Sequence, residues 1–346
     1  MLAALLPDRG VVKVAGNDAR TFLNGLLTAD MAKVTPARAA FAALLTPQGK
    51  IVVDGIVSEA PAEDGGGFFL DCPRALAKAL VDKLNFYKLR SQMIAEDLSE
   101  TLSVLAVWDG DARFRAEWSP VSRPESALTH KSGARIADKF TQSAQARLLS
   151  AKPVPTFAER APNTEYGLVY ADPRLPALGQ RVMIPPHLAP EAAADLGAKL
   201  VDAREYEAHR IARGVPRGGL DFIYSDVFPH ETDMDQLCGV DFTKGCFVGQ
   251  EVVSRMEHRG TARTRIVPVA YDGAAPEAGA AILAGEKSVG TMGSAANGHG
   301  LAMLRLDRVA DALAAGQKLV AGGVELRPRK PDWARFAFPG EAKAAE

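Results

Sequence analysis

Residues 241–265 read DFTKGCFVGQEVVSRMEHRGTARTR, the densest run of chemistry in the chain. Lys244 stands two residues before Cys246. Gly245 between them leaves the thiol unshielded and lets the backbone turn. The spacing predicts a helix over 250–259, and a cysteine just ahead of a helix feels its positive end. A nearby ammonium adds to that field, and both favour thiolate over thiol. A cysteine buried in a tight turn fits the same letters, because free cysteines are commonly buried. The residues alone leave both readings open. Cys238 and Cys72 have no such neighbours and are expected in the core.

Arg255 and Arg259 share a helix face at a spacing of four, and Arg263 and Arg265 continue the series onto a strand. Guanidinium forks bind carboxylates or phosphates bidentately. The other reading is a solvated face with Glu251 and Glu257 as partners. Upstream lies FPHETDMDQ, residues 228–236. Its Glu231, Asp233 and Asp235 suit acid–base or ligand work, or else a solvated helix start with acids at the positive dipole end.

Outward from this segment the periodicities predict an α+β body. A helix capped by Asn17 or Asp18 carries Phe22, Leu23, Leu26 and Leu27 on one face. AAFAALLTPQGKIVVDGIVSEA reads as two strands around a Pro-Gln-Gly turn. AEDGGG is a loop, FFLDC a strand, and Pro73 opens a helix with Leu76, Leu80 and Leu84. LSVLAVW and ARFRAEW read as strands, 119–165 as a polar, proline-bearing stretch, and YGLVYADPR as strand then turn, opening a second half near Tyr166. One long helix is expected from Pro190 through Leu196, Leu200, Tyr206 and Ile211 to a stop at Gly214. Beyond Arg265, short apolar runs alternate with turn residues, and ten glycines lie between Gly273 and Gly323. That texture predicts a small all-β domain, barrel or sandwich. The expected division is a body over 1–262, itself split near 100, and a β domain over 263–346.

The chain has 346 residues, 41 Lys plus Arg against 42 Asp plus Glu, and a net charge of −1. That balance speaks against a generally basic nucleic-acid binder. No run reads as a membrane span, and MLAALLP meets Asp8 and Arg9 too soon for a signal peptide. Three cysteines make no disulfide framework, so a reducing compartment, most simply the cytoplasm, is expected. Walker loop, GxSxG elbow, CxxC and HExxH are all missing, and the six histidines are scattered. No metal site is expected.

KGCFVGQE at 244–251 resembles the signature of the YgfZ-like proteins, folate-binding relatives of the glycine-cleavage T-protein. The motif residues are Lys244, Gly245, Cys246, Phe247, Gly249, Gln250 and Glu251. Further pieces follow in the family's order: DARTFLNGLLTAD at 18–30, TPQGKIVVDGIV at 46–57, FYKLR at 86–90, EDLS at 96–99 and DPRLPALGQR at 172–181. HRIARGVP at 209–216, PHE at 229–231 and Arg259–Gly260 complete the series. The resemblance implies two interleaved ferredoxin-like α+β subdomains and a small C-terminal β-barrel in a ring-like T-protein fold around a folate site. It implies a tetrahydrofolate-binding accessory protein that assembles or repairs iron–sulfur clusters in client enzymes, without nucleic-acid or membrane partners. Cys246 would be the reactive group and Lys244 its electrostatic partner. Asn24, Asp54, Arg213, Glu231, Arg255 and Arg259 are the candidate folate contacts.

Two departures from the T-protein pattern weaken the alternative of a folate-dependent aminomethyltransferase. Its paired carboxylates correspond here to Val53 and Asp54, and its pterin-holding Glu falls at Arg213. A carboxylate accepts the pterin's 2-amino and ring N–H together, whereas Arg has no acceptor. A third possibility is a folate-binding scaffold with a structural cysteine.

Overall fold

The computed structural model describes residues 1–109, 167–260 and 262–340. The strand expected at ARFRAEW and the stretch 119–165 lie outside them. In chain order the strands and helices are β1 (Leu2–Leu6), β2 (Arg9–Ala15), α1 (Ala19–Leu26), β3 (Ala40–Leu45), β4 (Ile51–Glu59), β5 (Phe68–Pro73), α2 (Arg74–Tyr87), β6 (Ile94–Asp97) and β7 (Ser103–Trp108). Then come β8 (Leu168–Ala171), β9 (Gln180–Ile184), α3 (Ala189–Asp195), β10 (Lys199–Leu200), α4 (Ala203–Ala212), α5 (Gln250–Arg259), β11 (Thr264–Ala270), β12 (Ala281–Ala284), β13 (Lys287–Ala296), β14 (His299–Arg305), α6 (Leu306–Ala314), β15 (Leu319–Ala321) and β16 (Val324–Pro328). They fall into two compact units that exchange segments along the chain. One holds 1–22, 32–39 and 56–206; the other holds 23–31, 40–55 and 207–346. The mixed α/β architecture agrees with the expected fold class.

The first unit carries the sheet β10–β1–β7–β9–β8. Leu5 pairs with Leu105, and Leu105 with Val182, so one apolar face is continuous across β1, β7 and β9. Ala189, Ala192, Ala193 and Leu196 close over it. In the same unit β5 lies between β4 and β2, and β6 borders β2. Pro73 begins α2, which buries Ala77, Leu80 and Leu84. The single long helix expected from Pro190 is two helices. Gly197 takes φ +63°, and the Ala198 N–H reaches the Ala193 carbonyl at 2.8 Å, a Schellman end that stops α3. Lys199 and Leu200 then pair with β1. Asp202 starts α4 by accepting the Arg204 N–H at 2.9 Å. Leu196 and Leu200 have helical spacing but belong to different elements, which is why periodicity ran through the break.

In the second unit the six strands form a closed barrel, β11–β14–β13–β12–β15–β16, sealed where Val269 meets Pro328. Val267, Ile282, Val289, Met292, Leu304 and Leu326 fill it. The domain is not all-β as expected, because α6 lies between β14 and β15 with Val309 and Ala312 buried. Its LDRVADALA sequence has helical spacing and an acid in the first turn. No helix among the described residues is long and apolar enough to cross a membrane.

The first unit also encloses an ion network. Asp71, fully buried on β5, accepts Arg9 Nε at 2.6 Å, Arg181 Nη1 at 2.7 Å and the Tyr170 hydroxyl at 3.2 Å. Arg181 Nε continues to Asp172 at 3.0 Å, which Arg174 also holds at 2.6 Å. Burial pushes the Asp71 carboxyl up, but the Arg9 and Arg181 guanidiniums outweigh it and hold the group below its ordinary 3.8. Breaking such a pair leaves uncompensated charge, which costs about 3–5 kcal/mol. Urea unfolding at pH 7 is therefore expected to show Asp71→Ala destabilised by about that amount. A depressed carboxylate stabilises above its unfolded pKa and loses this as pH falls through its folded one. The deficit should accordingly persist down to about pH 4 and shrink only below it.

Candidate functional site

The Lys-Gly-Cys segment and all six candidate folate contacts lie in the second unit. The segment is moored to the end of α1 and the residues just past it. Thr28 Oγ1 donates to the Gly239 carbonyl at 2.6 Å, and the Asp241 N–H to the Thr28 carbonyl at 2.9 Å. Lys244 Nζ donates to the carbonyls of Asn24, Leu27 and Ala29 at 2.7, 2.6 and 2.8 Å. These carbonyls include ones that a helix end leaves without intrahelical partners, and a cation there meets the negative end of the helix. Burial pulls the lysine down to about 8, with Asp30 and Asp241 pulling the other way, so it remains cationic at neutral pH. The Val248 N–H reaches the Gly25 carbonyl at 3.3 Å, and Phe247 is buried.

Between these moorings Gly245 and Cys246 stand exposed. The structure gives Lys244 a task that its spacing does not reveal: all three of its donors serve the clamp. Nor is Gly245 the turning glycine. A Cβ there would meet nothing within 4 Å, whereas Gly249 takes φ +82° and a Cβ on it would lie 2.6 Å from the Thr46 carbonyl. Gly249 caps α5, which spans the expected 250–259. Gln250 Oε1 accepts the Phe247 N–H at 3.3 Å. Cys72 is buried as expected, but Cys238 is exposed, with its backbone in the left-handed region at φ +60°.

The arginine series divides. Arg255 pairs with Glu251 on the exposed face of α5 at 2.6 Å, and Arg259 and Arg263 are exposed. Arg265 is buried and bidentate to Asp235, at 2.6 and 3.0 Å, with Asp233 at 3.3 Å. It is a structural ion pair, not part of an anion-binding face. The acids of 228–236 are not a solvated helix start either, since His230, Thr232 and Asp233 are buried around a 3-10 turn at Pro229–Thr232. Burial pushes the Asp233 carboxyl well above the carboxylate range, against the pull of Arg265. Glu231 accepts the Phe228 N–H at 2.9 Å. Asn24 Oδ1 accepts the Met31 N–H at 3.0 Å. Asp54 is buried and accepts the Tyr224 hydroxyl. Arg213 is half-buried, and its carbonyl accepts the Trp333 indole N–H at 2.9 Å.

Sequence reasoning missed Tyr224 and His230. Tyr224 stands 170 residues from Asp54 and carries no motif. His230 lies inside PHE at 229–231, yet nothing local distinguishes it from a core histidine.

In fold this is a T-protein-like chain. It superposes on the glycine cleavage system aminomethyltransferase T of Bartonella henselae with a TM-score of 0.62, covering 97% of this chain and 87% of that one at 14% identity. Residues 263–336 match the family model for the CAF17 C-terminal beta-barrel domain. In sequence the chain is similar to proteins named iron-sulfur cluster assembly factor IBA57. It is 31% identical over 278 residues to the Mycosarcoma maydis homologue, covering 78% of this chain and 57% of that protein. It is 28% identical over 345 residues to the Homo sapiens protein, covering 95% and 84%. The chain thus spans little more than half the length of the fungal relative. These relatives are named mitochondrial, which overturns the cytoplasmic expectation.

The clamp predicts separable effects of neighbouring substitutions. Lys244→Met strands three carbonyls, and each unsatisfied buried group costs about 1–3 kcal/mol. Partial rehydration of the exposed edge should limit the measured loss to about 2 kcal/mol in urea unfolding. Cys246→Ser, at an exposed position, should stay within about 0.5 kcal/mol of wild type. Equal stabilities for the two variants would contradict the clamp.

Proposed function

We propose that the chain is an iron–sulfur cluster assembly factor of the folate-binding, YgfZ-like kind, serving client enzymes through Cys246. The observation that carries this reading is similarity to IBA57 proteins across 78–95% of the chain. The site supports it. A thiol on an exposed, clamped strap is available to soft metal–sulfur species. Iron–sulfur clusters require about four ligands. Among the described residues Cys246 belongs to no group of three potential ligands within 4.8 Å. It therefore supplies one ligand or one reacting sulfur, and a partner chain or small thiol supplies the rest.

Tetrahydrofolate is the ligand this reading assigns to the second unit. Asp54 fits a pterin donor, because Tyr224 occupies Oδ1 and leaves Oδ2 as an acceptor. Arg213 offers no acceptor to the pterin. Arg255 and Arg259 are exposed and suit the glutamate tail. Aminomethyl transfer is the weaker reading: it rests on fold at 14% identity, and the second carboxylate of the T-protein pair is Val53.

Two measurements test the proposal. In a strain whose only copy is Cys246→Ser, client iron–sulfur enzyme activities should fall to the level of a deletion while the variant accumulates normally. Full client activity would refute the role of Cys246. In calorimetry, tetrahydrofolate should bind wild type and Cys246→Ser alike and Asp54→Ala about tenfold more weakly, the worth of one charge-assisted hydrogen bond. Absence of binding would remove folate from the reading.

A further inference from the structure

Where α5 passes the Pro229–Thr232 turn, three side chains converge that no motif connects. His230 Nε2 lies 3.0 Å from Glu257 Oε2. One ligand atom each from His230, Asp235 and Glu257 falls within 4.8 Å of the others. The residues sit 27 positions apart at the extremes, so sequence spacing hides them. We infer that His230, Asp235 and Glu257 form a binding site for a divalent transition-metal cation, separate from the Cys246 thiol.

The donor set suits this reading. One imidazole nitrogen and two carboxylates match first-row cations that prefer nitrogen and oxygen over sulfur. Ligand atoms about 2.1 Å from an octahedral ion stand about 3 Å apart when adjacent, which is the observed His230–Glu257 separation. A cation there replaces the His230–Glu257 hydrogen bond with two coordinate bonds. Asp235 is already fixed: Arg265 grips both its oxygens and Gln236 Nε2 donates to Oδ2 at 2.6 Å, which leaves the second lone pair of Oδ1 for a cation. Metal-bound carboxylates are commonly oriented by such a partner. The turn is also held from behind, because Arg265 Nη1 donates to the His230 carbonyl at 2.7 Å.

The His230 side chain is 2% exposed and its Nδ1 has no hydrogen-bond partner, so Nε2, the nitrogen that faces Glu257, carries the ring's one side-chain polar contact and is the atom offered to a cation. Glu257, 45% exposed, leaves the outer side of the site open to water and to metal entry. Its position on α5, the helix that Gly249 caps after the Cys246 strap, makes the cation a pin for that helix.

The test uses the full chain with Mn²⁺ as probe, in a Cys238→Ser, Cys246→Ser background that removes the exposed thiols. Free Mn²⁺ is followed by its paramagnetic resonance signal during titration. One equivalent should bind, and Zn²⁺ should displace it. Glu257→Gln, an exposed change that leaves the fold intact by circular dichroism, should weaken binding at least about tenfold. Asp235→Glu, which keeps the carboxylate and its grip by Arg265, should retain part of the affinity. No saturable binding at millimolar Mn²⁺, or equal binding in Glu257→Gln, would overturn the site.

Discussion

The Lys244 ammonium has three N–H donors, and three backbone carbonyls at and beyond the end of α1 accept them. The place of the Cys246 thiol follows from that match. Helix ends leave carbonyls without partners, and a cation is the natural complement to that end of the macrodipole. Here the cation arrives from more than two hundred residues away in sequence and fixes a loop that would otherwise have little to hold it. Gly239, Asp241 and Val248 add moorings on either side. The outcome is an exposed two-residue strap, Gly245–Cys246, on a fixed base.

Around that strap the molecule divides its polar groups by purpose. Buried charges are paired into networks: Asp71 with Arg9 and Arg181, and Arg265 with Asp235. These satisfy interior charge and fix the orientation of their strands. Groups available for chemistry are those at the surface or only partly engaged: the Cys246 thiol, Asp54 Oδ2 and the Glu257 carboxylate. An arginine series that looks uniform in sequence therefore serves two ends, with Arg265 in the interior and Arg255 and Arg259 outside.

Much of this was legible in advance where the signal is local. The β3–β4 hairpin, the start of α2 at Pro73, the bounds of α5 and the strand texture of the barrel all come from patterns within about ten residues. What was illegible depends on long-range partners or on a single backbone angle. Gly197 breaks a run whose leucines keep helical spacing. The α6 helix has helical spacing of its own in LDRVADALA, but its short run lies among glycine-rich strands and was read with them. Cys238 was expected inside because its neighbours are apolar, yet a left-handed backbone turns it out. Lys244 read as the partner of the thiol because the two are close in sequence, while its acceptors lie in α1 and just beyond. The Tyr224–Asp54 and His230–Glu257 pairings leave no trace in spacing at all.

Hydrogen–deuterium exchange of wild type against Lys244→Met tests the clamp most directly, because it reads the strap itself. If the ammonium holds the strap, the hydrogen-bonded amides of Phe247 and Val248 should exchange at least about tenfold faster in the variant, while those of β11, β13 and β14 keep wild-type protection. Unchanged exchange at Phe247 and Val248 would contradict the account, and so would an equal rise through the barrel, since neither outcome is compatible with a local clamp.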